Sequence, residues 1–235
     1  MRVFVAGASG AIGRFLVPLL VTAGYEVTGT TRAAERVAAI EASGAEAVVV
    51  DAFDRAALTA ALTAARPEVV IHQLSDLTTP PGQGLSDVEI GRNARLREEG
   101  TANLVAAAVA AEAGRLIAGS IAWIYEEGEE PHTEEDPLQA AEGPYATPTR
   151  RAVHELERLV TGDERFEGIV LRYGHFYGPG TWSETPLEPP TVHVEAAAIA
   201  ALLAVARGEA GIYNVVDDDG PVSNARARSI LGWSP

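Results

Sequence analysis

Val3-Phe-Val-Ala-Gly-Ala-Ser-Gly-Ala-Ile-Gly-Arg14 is an apolar strand that runs into a helix through Gly7, Gly10 and Gly13. The first glycine of such a junction permits a tight turn, and the second lets main-chain N–H groups come close to a diphosphate. The third packs helix against strand, with the anion at the helix's positive end. Three glycines alone are a weak signal, but their surroundings strengthen it. Phe15, Leu16, Leu19 and Leu20 give the following helix one apolar side, and a second strand at Glu26–Thr31 completes a βαβ unit. The whole turn, Gly7, Ala8, Ser9, Gly10, Ala11, Ile12 and Gly13, is therefore read as a dinucleotide cradle.

Beyond the turn the pattern alternates. Strands are predicted at Arg2–Ala6, Glu26–Thr31, Ala47–Val50, Val69–Gln73, Leu116–Gly119, Ile169–Tyr173 and Ile212–Val215. Alanine-rich helices are predicted between them at Ala11–Ala23, Ala33–Ala42, Arg55–Ala65, Asp87–Ala113, Arg151–Val160 and Val194–Arg207. The strands are continuous apolar runs, as in parallel sheets covered on both faces. Asp54 and the Arg66-Pro67 step mark a helix start and stop. The fold class predicted is α/β: a Rossmann-type doubly wound parallel sheet in a single domain over residues 1–235, with a small C-terminal substrate-binding part. Irregular stretches at Ser75–Ser86, Glu126–Pro144 and Pro179–Thr191 all follow strands, on the side where such sheets bind ligands.

Composition narrows the function. The chain has 235 residues, 47 % of them hydrophobic, enough for a sizeable core. It has no cysteine, so disulfides and thiolate chemistry are excluded, and a metal site would rest on five histidines and the carboxylates. No metal is expected. A net charge of −15 disfavours nucleic acid and anionic lipid, and no apolar run is long enough to span a bilayer. The N-terminus begins a strand at once, and the protein is expected in the cytoplasm.

Further motifs carry a resemblance. They are Val70-Ile-His-Gln73, Gly100-Thr-Ala-Asn-Leu104, Ala118-Gly-Ser-Ile-Ala-Trp-Ile-Tyr125, Leu171-Arg-Tyr-Gly-His-Phe-Tyr-Gly-Pro-Gly180, His193-Val194 and Tyr213-Asn-Val-Val216. With the glycine turn, the chain resembles an extended short-chain dehydrogenase/reductase of the NAD-dependent epimerase/dehydratase group. The resemblance covers most of its length. It implies a nicotinamide cofactor and a small-molecule substrate, with substrate-binding elements within 120–144 and 174–235. Asp51 resembles the family's adenine-contacting acid and is equally a strand-end residue capping the next turn; Ala52, Gln73 and Tyr173 are further implied cofactor contacts.

Charge at the end of the second strand bears on the cofactor. NAD-binding turns usually place an acid there for the ribose 2′-hydroxyl, whereas this chain reads Thr30-Thr31-Arg32. A 2′-phosphate meets no repulsion, and Arg32 offers it a planar fork of donors, with Arg14 placed to approach the same group. NADP is favoured, with NAD possible. The plainer reading of Arg32 is a solvated residue starting a helix.

The resemblance also implies a catalytic tyrosine, a lysine four residues later and a serine or threonine. Tyr145 matches the tyrosine, but Thr149 stands at the lysine position, and neither Arg150 nor Arg151 returns to the tyrosine's helical face. A phenol without a neighbouring cation is little ionised at neutral pH. Thr147-Pro148 reads as a helix N-cap and first position, leaving Tyr145 in the preceding turn. Ser120 ends the fifth strand, one place before Ile121, where relatives keep the active hydroxyl; it serves either as a catalytic group or to satisfy nearby backbone. Tyr125, His175 and Tyr177 are substitute proton donors.

Other chemistries fail on spacing. His154-Glu155 lacks a second zinc ligand, since Arg158 stands four residues on, and there is no Gly-x-Ser-x-Gly elbow or triphosphate-binding loop. The acidic run Glu126–Asp136 is a solvated loop or a lid, and Trp123 and Trp182 either line a pocket or join the core. Stripes at Leu104, Val105, Ala108 and at Val153, Leu156, Leu159, Val160 resemble the helices that pair family members into homodimers, or else they cover the sheet. Thr185-Pro186-Leu187 and Gly220-Pro221-Val222-Ser223 bridge almost directly the places where relatives carry substrate-binding segments; either the protein has lost its cap or mobile segments are absent from this sequence, and the second is the expectation. Two functions remain: an NAD(P)-dependent oxidoreductase or epimerase acting on a polar carbonyl or hydroxyl compound, and a non-catalytic NADP-binding redox sensor or scaffold.

Overall fold

The computed structural model describes residues 1–77 and 84–235, so the middle of the Ser75–Ser86 stretch lies outside the described residues. Seven strands of the described residues form one parallel sheet: β1 (Arg2–Ala6), β2 (Glu26–Thr31), β3 (Glu46–Val49), β4 (Val69–His72), β5 (Arg115–Ile121), β6 (Glu167–Tyr173) and β9 (Gly211–Val215). Their order is β3-β2-β1-β4-β5-β6-β9. Strand order reverses at β1, where Val3 is flanked by Val27 of β2 and Val69 of β4. Crevices at such a reversal are where open α/β sheets bind ligands, and Gly7 lies at this one. Phe4 and Val5 are both fully buried although they point to opposite faces, which accounts for the absence of alternation in β1.

Helices cover both faces. One core joins α1 (Gly13–Thr22) and α7 (Val194–Ala206) to the sheet through Leu16, Leu20, Ala197 and Ala201. The opposite core joins α3 (Arg55–Ala65), α5 (Thr101–Ala110) and α6 (Pro148–Thr161) through Leu58, Leu62, Leu104, Leu156 and Val160. The punctuation residues act as their chemistry dictates. The Asp54 side chain accepts the Ala57 N–H at 3.0 Å, Arg66 leaves α3 in the left-handed conformation, and Thr147 Oγ1 accepts the Arg150 N–H at 3.2 Å ahead of Pro148.

The helix predicted over Asp87–Ala113 runs without a gap from Asp87 to Ala110 but is not regular. It comprises α4 (Asp87–Arg95), a π turn at Leu96–Gly100 and then α5. The widened turn brings Gly100 onto Leu96, where a Cβ would lie 2.9 Å from Leu96 Cδ1. The segment predicted as one helix over Ala33–Ala42 opens with a 3₁₀ turn at Ala34–Arg36 before α2 (Val37–Ala42). Two strands escape periodicity because each has only three residues: β7 (His175–Tyr177) and β8 (Thr191–His193), a parallel pair apart from the main sheet.

The implied substrate-binding stretches fold onto each other. Ala122, Tyr125, Val216 and Val222 make a small core of their own, and Tyr125 bridges to Leu138. Hydrogen bonds fix the chain just ahead of the first short connection, Gly178 N–H to the Ser183 carbonyl at 2.8 Å, and hold the second, Ser223 N–H to the His132 carbonyl at 2.7 Å. The closing segment ends in a π turn, Ala227–Leu231, and buries Trp233, whose indole N–H donates to the Ala196 carbonyl at 2.8 Å. Of those stripes, Leu104, Val105, Ala108, Leu156 and Val160 lie in the sheet-facing core, Leu159 is partly buried against it, and Val153 joins a separate cluster with Ile121 and Ile124.

Candidate functional site

Gly7 has φ +92°, and a Cβ there would lie 2.7 Å from the Gln73 carbonyl oxygen, so β1 and β4 can end this close together only around a glycine. A Cβ at Gly13 would strike the carbonyl oxygen of Gly7, which fixes the helix against the turn. No side chain caps α1, and among the described residues the Ala11 N–H meets no acceptor. An uncapped helix start with a free amide is an anion site, and the turn fits the diphosphate of a dinucleotide.

At the end of β2, Ser9 Oγ lies 3.1 Å from Thr31 Oγ1. Arg32 is tied to Asp76 at 2.7 Å, and Arg92 reaches the other oxygen of that carboxylate at 3.3 Å. The Asp76 N–H donates to Asn93 Oδ1, and Arg32 holds the Asp76 carboxyl below its ordinary range. Arg14 does not converge with Arg32; its guanidinium donates to the carbonyls of Pro179 and Gly180 instead. The cation that does approach the glycine turn is Arg36, 3.5 Å from the Ser9 carbonyl, which reasoning from β2 alone overlooked. Its signal was one helical turn beyond Arg32. Asp51 caps its own turn, accepting the Phe53 N–H at 2.9 Å, and Asn103 holds the Ala52 carbonyl at 3.0 Å.

Deeper in, Gln73 donates to the Tyr173 hydroxyl at 3.1 Å, and both side chains press on Gly119, where a Cβ would lie 2.9 Å from Gln73 Oε1. Burial pushes the Tyr173 phenol up, so it stays neutral. Ser120 bonds neither backbone nor Tyr145. It donates to Glu157 Oε1 at 2.8 Å, and Arg172 grips both oxygens of Glu157 at 2.9 and 2.7 Å. Arg172 also donates to the Tyr125 hydroxyl, which donates to Asn214 Oδ1 at 2.7 Å. Burial alone would lower the Arg172 pKa, but its bonds to Glu157 hold it above the ordinary value. Tyr145 is 79 % exposed in the turn before α6, as Thr147-Pro148 requires.

The substitute donors are engaged elsewhere. Burial raises the Tyr125 phenol, and its hydroxyl is enclosed by Arg172 and Asn214. Burial lowers His175, which stacks on Trp123 at 3.8 Å. Tyr177 is raised by burial and by its bond to Asp217. Trp123 and Trp182 are both exposed, so neither joins the core.

The model of the NAD dependent epimerase/dehydratase family matches residues 3–210. The chain belongs to the NAD dependent epimerase/dehydratase family. This epimerase/dehydratase-family chain is 43 % identical to a 3-diazoavenalumate denitrifying reductase of Streptomyces sp, over 93 % of its own length and 77 % of the relative's. Its fold is similar to that of UDP-glucose 4-epimerase from Thermotoga maritima, TM-score 0.81 at 19 % identity over 100 % of this chain and 94 % of the other. It is also similar to Bordetella bronchiseptica WbmH, solved with NAD+, TM-score 0.75 at 20 % identity over 93 % and 76 % of the two chains. Against the active-site pattern implied by the resemblance, this family member is extreme, since its 235 residues contain no lysine.

His72, in a matching motif, is 1 % exposed, with Nε2 2.9 Å from Thr101 Oγ1. Burial, with the nearby Arg97 charge, lowers its pKa to about 4. The unfolded chain takes up this proton near 6.5, so between pH 6.5 and 4 it binds more protons than the folded one, and stability falls as pH drops through that window. The contribution is flat above 6.5. His72→Gln is expected to abolish about 3 kcal/mol of that acid loss, read as the pH dependence of urea unfolding.

Proposed function

We propose that this chain is an NADP(H)-dependent reductase of diazo carboxylates, delivering hydride to a substrate that needs no proton from the protein. The observation that carries this reading is the exposed Tyr145 with Thr149 four residues on, in a sequence without lysine. Reduction of a carbonyl leaves an alkoxide, for which a tyrosine beside a lysine is the usual acid. The diazonium form of an aryl diazo group makes no such demand. Hydride adds to its terminal nitrogen and cancels the positive charge, and the neutral N–H diazene then loses dinitrogen as its hydrogen passes to carbon, so atoms and charge balance with no added proton. The 43 % identical relative is named for such a denitrifying reduction.

When bound, the reduced nicotinamide supplies the hydride. The chain's own residues hold and orient. Amides of the turn from Gly7 to Gly13 and the start of α1 receive the diphosphate. Arg36, beside Ser9, and Arg32, exchanging Asp76 for phosphate, receive the 2′-phosphate. Asp51 and Ala52 border the adenine, and Gln73 and Tyr173 form a neutral floor at the ends of β4 and β6. Ser120, committed to Glu157, positions rather than donates. A homodimer belongs to the same reading, supported by the open groove where Ala102, Ala106 and Leu159 lie beside Arg158, Asp163 and Arg165.

The test is NADPH consumption and nitrogen release with 3-diazoavenalumate. Tyr145→Phe is expected to keep turnover within about twofold, whereas a loss of about 100-fold, typical of removing a general acid, overturns the proposal. Tight NADPH binding with no turnover on diazo or carbonyl compounds leaves the sensor, which the missing lysine equally favours.

A further inference from the structure

Eighteen arginines supply all the side-chain cations apart from histidine. Most hold a carboxylate or a main-chain carbonyl. Among the described residues Arg55, Arg66, Arg97 and Arg151 have neither, and Arg97 is the one of these not on the open surface. It is partly buried at the second position of the π turn Leu96–Gly100.

That turn is held at the carboxyl ends of the strands. Gly100 abuts Ala52 after β3, and the next residue, Thr101, bonds His72 at the end of β4. Arg97 lies within electrostatic reach of His72, whose pKa it lowers, and of Glu157 of α6, which raises its own. No hydrogen bond joins Arg97 to Glu157, and the Glu157 oxygens are held by Ser120 and Arg172. Burial lowers Arg97 to about 10, so it stays charged at neutral pH. A partly buried guanidinium without a hydrogen-bonded anion is poorly compensated, and π turns inside helices concentrate at functional sites.

We propose that Arg97 is the anchor for the substrate's carboxylate, held without a hydrogen-bonded anion beside the end of β4 by the π turn. This rests on the reading as a diazo carboxylate reductase and adds the group that selects the substrate. A guanidinium forks onto a carboxylate through two parallel hydrogen bonds, a geometry that an amide of the same shape cannot reproduce.

The experiment compares binding of avenalumate and its primary amide to the NADPH-loaded protein, in the wild type, Arg97→Gln and Arg97→Lys. The wild type is expected to prefer the carboxylate by about tenfold or more, Arg97→Gln to lose the preference, and Arg97→Lys to recover part of it. NADPH affinity stays within about twofold throughout. Arg97→Gln is also expected to unfold at the same or a higher temperature, since it removes a partly buried charge that no hydrogen-bonded anion compensates; a purely structural arginine would give the opposite. A wild type without the preference, or Arg97→Gln that retains it, overturns the inference. Diazo reduction without carboxylate preference overturns it and leaves the proposed function standing. Carboxylate preference without diazo reduction supports the anchor and removes the reaction.

Discussion

Glu157→Gln is expected to lower the free energy of unfolding by about 3–5 kcal/mol. Glu157 is 6 % exposed and Arg172 3 %, so water cannot replace the lost carboxylate, and the guanidinium would keep only neutral partners. Ser120 would meet an amide where it now donates to a carboxylate. The pair itself contributes little net stability, because desolvating two charges offsets most of their attraction. The double variant Glu157→Leu with Arg172→Met should therefore be less destabilised than Glu157→Gln alone. Urea unfolding of the three proteins decides it, and a single variant milder than the double would refute the argument.

Gly13→Ala should reduce dinucleotide affinity about 100-fold or more, the largest loss expected from one methyl group in this protein. The new Cβ would overlap the Gly7 carbonyl oxygen and lie 2.6 Å from the Ala8 carbonyl carbon, all backbone that cannot swing aside. The helix start must retreat, and the turn amides then no longer converge on one anion. Calorimetric titration with NADPH and NADH measures the loss, and circular dichroism shows whether the sheet persists. A folded Gly13→Ala protein that binds both nucleotides normally would remove the turn from the cofactor site.

The fold was legible where burial dictates residue type. Val3–Ala6 of β1 and Val69–Ile71 of β4 are unbroken apolar runs because helices cover both faces, and Asp54, Arg66 and Thr147-Pro148 mark helix ends through local chemistry. The π turn was not legible, since Arg95-Leu-Arg-Glu-Glu99 reads as ordinary charged helix surface. Its phase change arises from packing Gly100 on Leu96 and Ala52. β7 and β8 hold three residues each, too few for a period.

The site divides the same way. The glycine turn announces itself, being contiguous and sterically unique. Arg32 could be singled out, but not its commitment to Asp76, 44 residues away. Likewise Ser120 was visible, while Glu157, 37 residues on, which decides what its hydroxyl does, was not.

β9 ends the sheet, and a terminal strand offers its outward amides as a template for another chain. Here the Asn214 N–H of that strand donates to Glu134 Oε1 at 2.7 Å, and the carboxylate comes from the acidic run Glu126–Asp136. That run thereby shields the open border against strand-by-strand aggregation, a protection that would serve the protein in any solution whether or not a substrate ever arrives.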